Sequence, residues 1–127
     1  MSAVLLRGLA IWLAASMALR LAGQWVFADA RQLALLFAVS IPVMIWLPRR
    51  IVAASAAARS RPAAAAIVLV VPGMLLDTAC TLAFQRLFPN IQPQRAAVFA
   101  AWILLCNAIA LGSLYAYHAS GTDASNR

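Results

Sequence analysis

Four apolar runs occupy most of the chain. A helix needs about 20 residues to cross a hydrocarbon core of roughly 30 Å. The runs cover residues 4–27, 32–47, 63–88 and 96–117. Lipid offers no partner to an unpaired backbone amide, so a spanning segment must be a helix or part of a closed barrel. These runs lack the short apolar-polar alternation of barrel strands. The expected fold is all-α: a single membrane domain, residues 1–127, built as a bundle of four transmembrane helices.

Composition agrees with that reading. Hydrophobic residues make up 65% of the 127 residues and charged residues only 10%, with a mean hydropathy of +0.89. A soluble domain carries roughly 45–50% and about 25%, so these values exclude a soluble enzyme, a disordered tail and a disulfide-framed module. The charged set is ten Arg and three Asp, with no Lys or Glu, and there are thirty Ala. Such usage is that of a GC-rich bacterial genome, which places the expected protein in a bacterial inner membrane. The net charge of +7 would indicate nucleic acid in a soluble domain. Here the Arg residues flank apolar runs, so they set orientation, and nucleic acid is not an expected partner.

The second run is the weakest. Only 15 residues lie between Gln32 and Pro48, and Pro42 sits among them. A kink is expected there, with the helix continuing past Arg49 and Arg50. The Ala-rich segment 53–66 reads as a helical extension ending near Pro62. The first run has Arg7 near its start and a small-x-small site at Ala28-Asp29-Ala30, as a signal peptide would. Arg20 interrupts its apolar stretch and the run is too long, so it is read as a span.

Orientation follows from Arg asymmetry. Arg7, Arg49, Arg50, Arg59, Arg61 and Arg127 fall on one side, and Arg31, Arg86 and Arg95 on the other. Basic residues favour the cytoplasm, which predicts N-in, C-in. The outer connection from Phe88 to Arg95 contains Pro89, Asn90 and Pro93 and is expected to be an ordered turn.

Ionisable residues inside a span are costly, ~2.5–3.5 kcal/mol at a helix centre on insertion scales, and are functional-site candidates by default. Arg20 and Asp77 are two such residues. At 1.5 Å per residue they lie ~10 Å and ~16 Å below the outer ends of their runs, and they are expected to pair. Gln24 shares a stripe with Arg20 and Ser16, Thr81 shares one with Asp77 and Cys80, and Asn107 is central in the last run. Arg20, Gln24, Asp77, Thr81 and Asn107 therefore form the candidate intramembrane polar cluster. Pro72-Gly73 lies one turn before Asp77 and supplies a kink there. Cys80 and Cys106 sit in apolar runs outside any C-x-x-C. With one His they cannot complete a zinc set, so neither a metal nor a cofactor is expected.

The run Pro72-Gly73-Met74-Leu75-Leu76-Asp77, then Phe88-Pro89-Asn90 and Trp102, resembles a family of small four-helix bacterial membrane proteins of unknown function. Arg20-Leu21-Ala22-Gly23-Gln24 fits the same pattern. The resemblance implies a four-helix membrane fold and supplies no activity, ligand or catalytic residue. The size is similar to that of the small multidrug-resistance exporters, but those carry an acidic residue in the first span, where this chain has Arg20. Two readings follow. One is a non-enzymatic scaffold or accessory subunit of a membrane complex, or a homo-oligomer, with lipid as its surroundings. The other is a small proton- or cation-coupled transporter using Asp77. A cavity reaching Asp77 distinguishes them.

Overall fold

In the computed structural model, residues 1–125 are described, with side chains as far as His118; Arg127, counted above for orientation, lies outside the described residues. The four spanning helices are α1 (Ser2–Val26), α2 (Ala30–Ala53), α4 (Pro62–Leu82) and α6 (Ala96–Ser125). Two short helices, α3 (Ala56–Ser60) and α5 (Phe84–Leu87), lie between them, and a 3-10 turn over Pro93–Arg95 leads into α6. No strand is present among the described residues. All four long helices are long and apolar enough to cross a membrane. α1 packs along α4, α4 along α6 and α6 along α2, while α1 and α2 close the ring over a shorter stretch.

Local chemistry sets the helix ends. The Asp29 carboxylate accepts from the Gln32 backbone N–H at 2.8 Å and starts α2. α2 then runs on through Arg49 and Arg50 to Ala53, with Pro42 and Pro48 inside it. Proline at position 48 removes the N–H that would serve the Met44 carbonyl. The Ser113 hydroxyl on α6 lies 3.5 Å from that carbonyl and 3.0 Å from the carbonyl of Ala110. A neighbouring helix thus helps to cover a freed backbone group, as spanning helices require.

Two expectations need correction. The Ala-rich segment is not one extension of α2: the chain turns at Ala54 and Ser55, and Ser55 caps a separate α3 by accepting from the Ala58 N–H at 3.3 Å. Pro62 then opens α4, where its missing N–H is no loss. The third span is also shorter than residues 63–88, because α4 stops at Leu82. Residues 84–87 form the separate α5, and Phe88 and Ile91 fold inward and are buried.

The bundle is tightened at each end by its own apolar cluster. Near the end that carries α3, Val4, Ile51, Val52, Ala58, Leu69, Val70, Ala110 and Leu114 pack together. Gly8 permits this: a Cβ there would lie 2.7 Å from the Leu69 carbonyl oxygen, so α1 and α4 meet backbone to backbone. At the opposite end Phe27, Phe84, Phe88, Phe99 and Trp102 form an aromatic cluster around Phe99, whose ring centroid lies 5.0 Å from Phe84 and 5.1 Å from Phe88. The loop from Phe88 to Arg95 seals it. Asn90 Nδ2 donates to the Leu19 carbonyl at 3.0 Å, and Arg95 donates to the Ala28 carbonyl at 3.2 Å. Ile91 fills the space over Gly23, where a Cβ would come within 2.6 Å of it.

Candidate functional site

Between the two apolar clusters lies a cavity of about 150 Å³. Its walls come from all four long helices. Ile51, Leu69, Val70 and Ala110 bound it toward the α3 end, and Phe88 and Phe99 bound it toward the aromatic end. Most of the lining is apolar. The polar exceptions are Ser16, Asp77, Asn107, the two indoles Trp12 and Trp102, and the thiols Cys80 and Cys106. Both cysteines are free.

Asp77 is held from two helices. Trp12 Nε1 on α1 donates to Oδ1 at 2.8 Å, and Asn107 Nδ2 on α6 donates to Oδ2 at 3.0 Å. Each carboxylate oxygen has about two lone-pair sites, so each retains room for a further donor. Trp102 Nε1 is spent elsewhere: it donates to Ser40 Oγ at 2.8 Å, and Ser40 in turn donates to the Leu36 carbonyl at 2.6 Å. Trp12 and Trp102 sit away from the interfacial belt where tryptophan usually collects. A buried indole N–H wants an acceptor, and both have one.

The expected five-residue polar cluster divides. Asp77 and Asn107 come together. Thr81 is close in sequence but turned to its own helix, its hydroxyl donating to the Asp77 main-chain carbonyl at 2.9 Å. Gln24 is exposed on α1 and takes no part in the cavity. Arg20 is exposed as well, and its guanidinium donates to the Leu87 carbonyl at the end of α5. The expected Arg20–Asp77 pair is therefore not formed, and the reason is geometric. Gly8 lies against Leu69, and Trp12 against Gly73 and Asp77, so Arg20 falls a turn or more farther out than the carboxylate. Helical side chains lean toward the N-terminus, which carries the Asp77 carboxylate back to Trp12. The long Arg20 side chain reaches instead toward the aromatic end of the bundle, to the end of α5.

Among the described residues no group of three or more His, Cys, Asp or Glu side chains is placed to hold a metal ion. Trp12, Ser40 and Trp102 are the residues that sequence reasoning missed.

The comparisons with known proteins bear on the chain as a whole. The model of the Family of unknown function (DUF5367) matches residues 25–120. The chain belongs to this family. The matched segment contains Asp77, Trp102 and Asn107, while Trp12 and Ser16 precede it. No curated protein and no solved structure matches the chain.

Proposed function

We propose that this DUF5367 protein is a small proton-linked cation carrier in which Asp77 holds either a proton or a cation. The observation that carries the reading is an intramembrane carboxylate, fixed by two donors, in the wall of a cavity of about 150 Å³. A scaffold needs neither an ionisable group in a span nor a space beside it. The reading is of a binder and carrier, not an enzyme.

Electrostatics supplies the coupling. A protonated Asp77 is neutral. An ionised Asp77 paired with a monovalent cation is neutral overall. An ionised, unpaired Asp77 carries a charge that costs ~2.5–3.5 kcal/mol at mid-membrane on insertion scales. The two neutral forms are thus the favoured ones during a change of access, so a cation arriving at Asp77 displaces its proton to water and the reverse step restores it. In such a cycle the α3-end cluster and the aromatic cluster part in turn, each exposing the cavity to one side.

The experiment is a flux measurement. Proteoliposomes holding a pH indicator, with an acid interior, are offered sodium chloride, potassium chloride or benzamidinium chloride outside. At least one of the three should speed alkalinisation of the interior for the wild-type protein, and Asp77→Asn should abolish the effect. If none of the three acts, the carrier reading fails and a scaffold is the better account.

We assign the protein to a bacterial inner membrane with both termini in the cytoplasm. Support comes from the Arg-only, Ala-heavy usage and from Arg7, Arg49, Arg50, Arg59 and Arg61 on the α3 side. Three of these are built into that end: Arg49 Nε donates to the Ser113 carbonyl at 3.2 Å, Arg59 donates to the Ala53 carbonyl, and Arg50 stands 5.5 Å over the Trp46 ring. Reporter fusions after Arg61 should be active only as cytoplasmic reporters, and fusions after Arg95 only as external ones. The reverse pattern contradicts the assignment.

A further inference from the structure

We infer that the cavity takes a single-ring or short-chain organic cation bearing N–H donors, of the amidinium or primary ammonium class, and not an inorganic ion. The inference rests on the carrier reading of Asp77 and narrows it to a ligand.

Three features of the lining select this chemistry. The first is polarity. The N–H donors of the wall are turned to protein acceptors: Trp12 to Asp77, Trp102 to Ser40, and Asn107 Nδ2 to Asp77. What remains for a guest is mostly acceptor: the free lone pairs of the Asp77 carboxylate and the Asn107 side-chain carbonyl, with the Ser16 hydroxyl able to accept or donate and one N–H of Asn107 left over. A guest that donates hydrogen bonds and carries positive charge satisfies the acceptors, and a planar amidinium can address both carboxylate oxygens at once.

The second feature is the number of oxygens. A metal ion stripped of water must have its hydration shell replaced by oxygens, roughly six or more for a divalent ion and a cage of carbonyl oxygens for potassium. One carboxylate, one amide oxygen and one hydroxyl fall well short of that. An organic cation keeps part of its shell as its own carbon framework and makes no such demand.

The third is size and surface. An engineered protein cavity of the same volume binds benzene. Here the walls add the indoles of Trp12 and Trp102 and the rings of Phe88 and Phe99. One aromatic ring with a small head group matches this volume.

The test is calorimetric titration of the detergent-purified protein at a pH where Asp77→Asn differs from the wild type in the flux assay. The titrants are benzamidinium chloride, phenyltrimethylammonium chloride (the same ring and charge without an N–H) and sodium chloride. Benzamidinium should bind saturably, at least tenfold more tightly than phenyltrimethylammonium, with sodium giving no saturable signal. Asp77→Asn should weaken benzamidinium at least tenfold. Gly73→Ala guards against a variant that fails to fold. Its added Cβ meets only Trp12 Cδ1, at 3.6 Å, an ordinary contact, while taking a methyl's volume from the cavity wall. It should weaken benzamidinium several-fold. Equal binding of phenyltrimethylammonium, or an unchanged affinity in Gly73→Ala, overturns the inference. Sodium or potassium driving Asp77-dependent flux while benzamidinium neither binds nor acts overturns the ligand class and leaves the carrier reading standing. Absence of Asp77-dependent flux with every cation removes both.

Discussion

Phe99→Ala should destabilise the protein by about 3 kcal/mol, the low end of what removing a buried Phe costs in a water-soluble core. Phe99 is 1% exposed and touches Phe27, Phe84, Phe88 and Trp102. The low end applies because lipid is as apolar as the side chain, so little transfer free energy is at stake. What is lost is contact: four rings lose their common neighbour and the surrounding helices cannot close the gap fully. Equilibrium unfolding in detergent measures the loss. The same variant opens the aromatic end of the cavity, which Phe99 helps to wall. Phe99→Leu, which refills most of the space, should recover much of the stability.

A second large effect concerns the partner of Asp77. Trp12→Phe keeps a ring in the wall and removes the donor at 2.8 Å from Oδ1. A hydrogen bond to a charged group contributes ~1.5–3 kcal/mol, and that is the expected loss. A double-mutant cycle isolates it. Trp12→Phe combined with Asp77→Leu, which removes the acceptor, should cost less than the sum of the single changes by a similar amount, because either change alone already breaks the bond. Arg20→Gln combined with Asp77→Asn should be additive to within ~0.5 kcal/mol, as sites without a shared contact are. Additivity for Trp12 and non-additivity for Arg20 would reverse the assignment of partners.

That assignment marks where sequence reasoning reached its end. The four spans were legible because hydrocarbon thickness dictates the length of an apolar run, and no other signal competes with it. Asp77 and Asn107 were legible for a related reason: a polar group in mid-span is rare enough to stand out by itself. Pairing was not legible. Distance from the end of a run does not state how two helices are offset along their axes; the contacts of Gly8 with Leu69 and of Trp12 with Gly73 set that offset and leave Arg20 a turn beyond Asp77. The end of the third span was not legible either: α4 stops at Leu82, six residues before Phe88. The chain turns at Ala83 because Phe84 and Phe88 bury themselves among Phe27 and Phe99. Nothing in an all-apolar run states that preference beforehand.

Trp12 and Trp102 were overlooked for a different reason. In a span, tryptophan is ordinarily read as an interfacial anchor, as Trp25 and Trp46 can be, both exposed near helix ends. Trp12 lies ten residues into α1 and Trp102 six residues into α6, and both face the cavity between the helices. A deep Trp implies a buried acceptor on another helix, and Asp77 and Ser40 are those acceptors. This signal was present in the sequence and is independent of any pairing by charge. Ser40 is harder to see, since its hydroxyl also serves its own helix through the Leu36 carbonyl.

The central claim is that one carboxyl in the bundle trades a proton for a cation. Infrared difference spectroscopy on the reconstituted protein reads this directly, through the carbonyl stretch of a protonated carboxyl. Subtracting the Asp77→Asn spectrum removes Asp29 and Asp123, which lie outside the four apolar runs. The account predicts a band that disappears as pH rises, and that also disappears at fixed pH when sodium, potassium or benzamidinium chloride supplies the cation that drives flux. A band that none of the three cations alters, or no Asp77-dependent band at any pH, would contradict it.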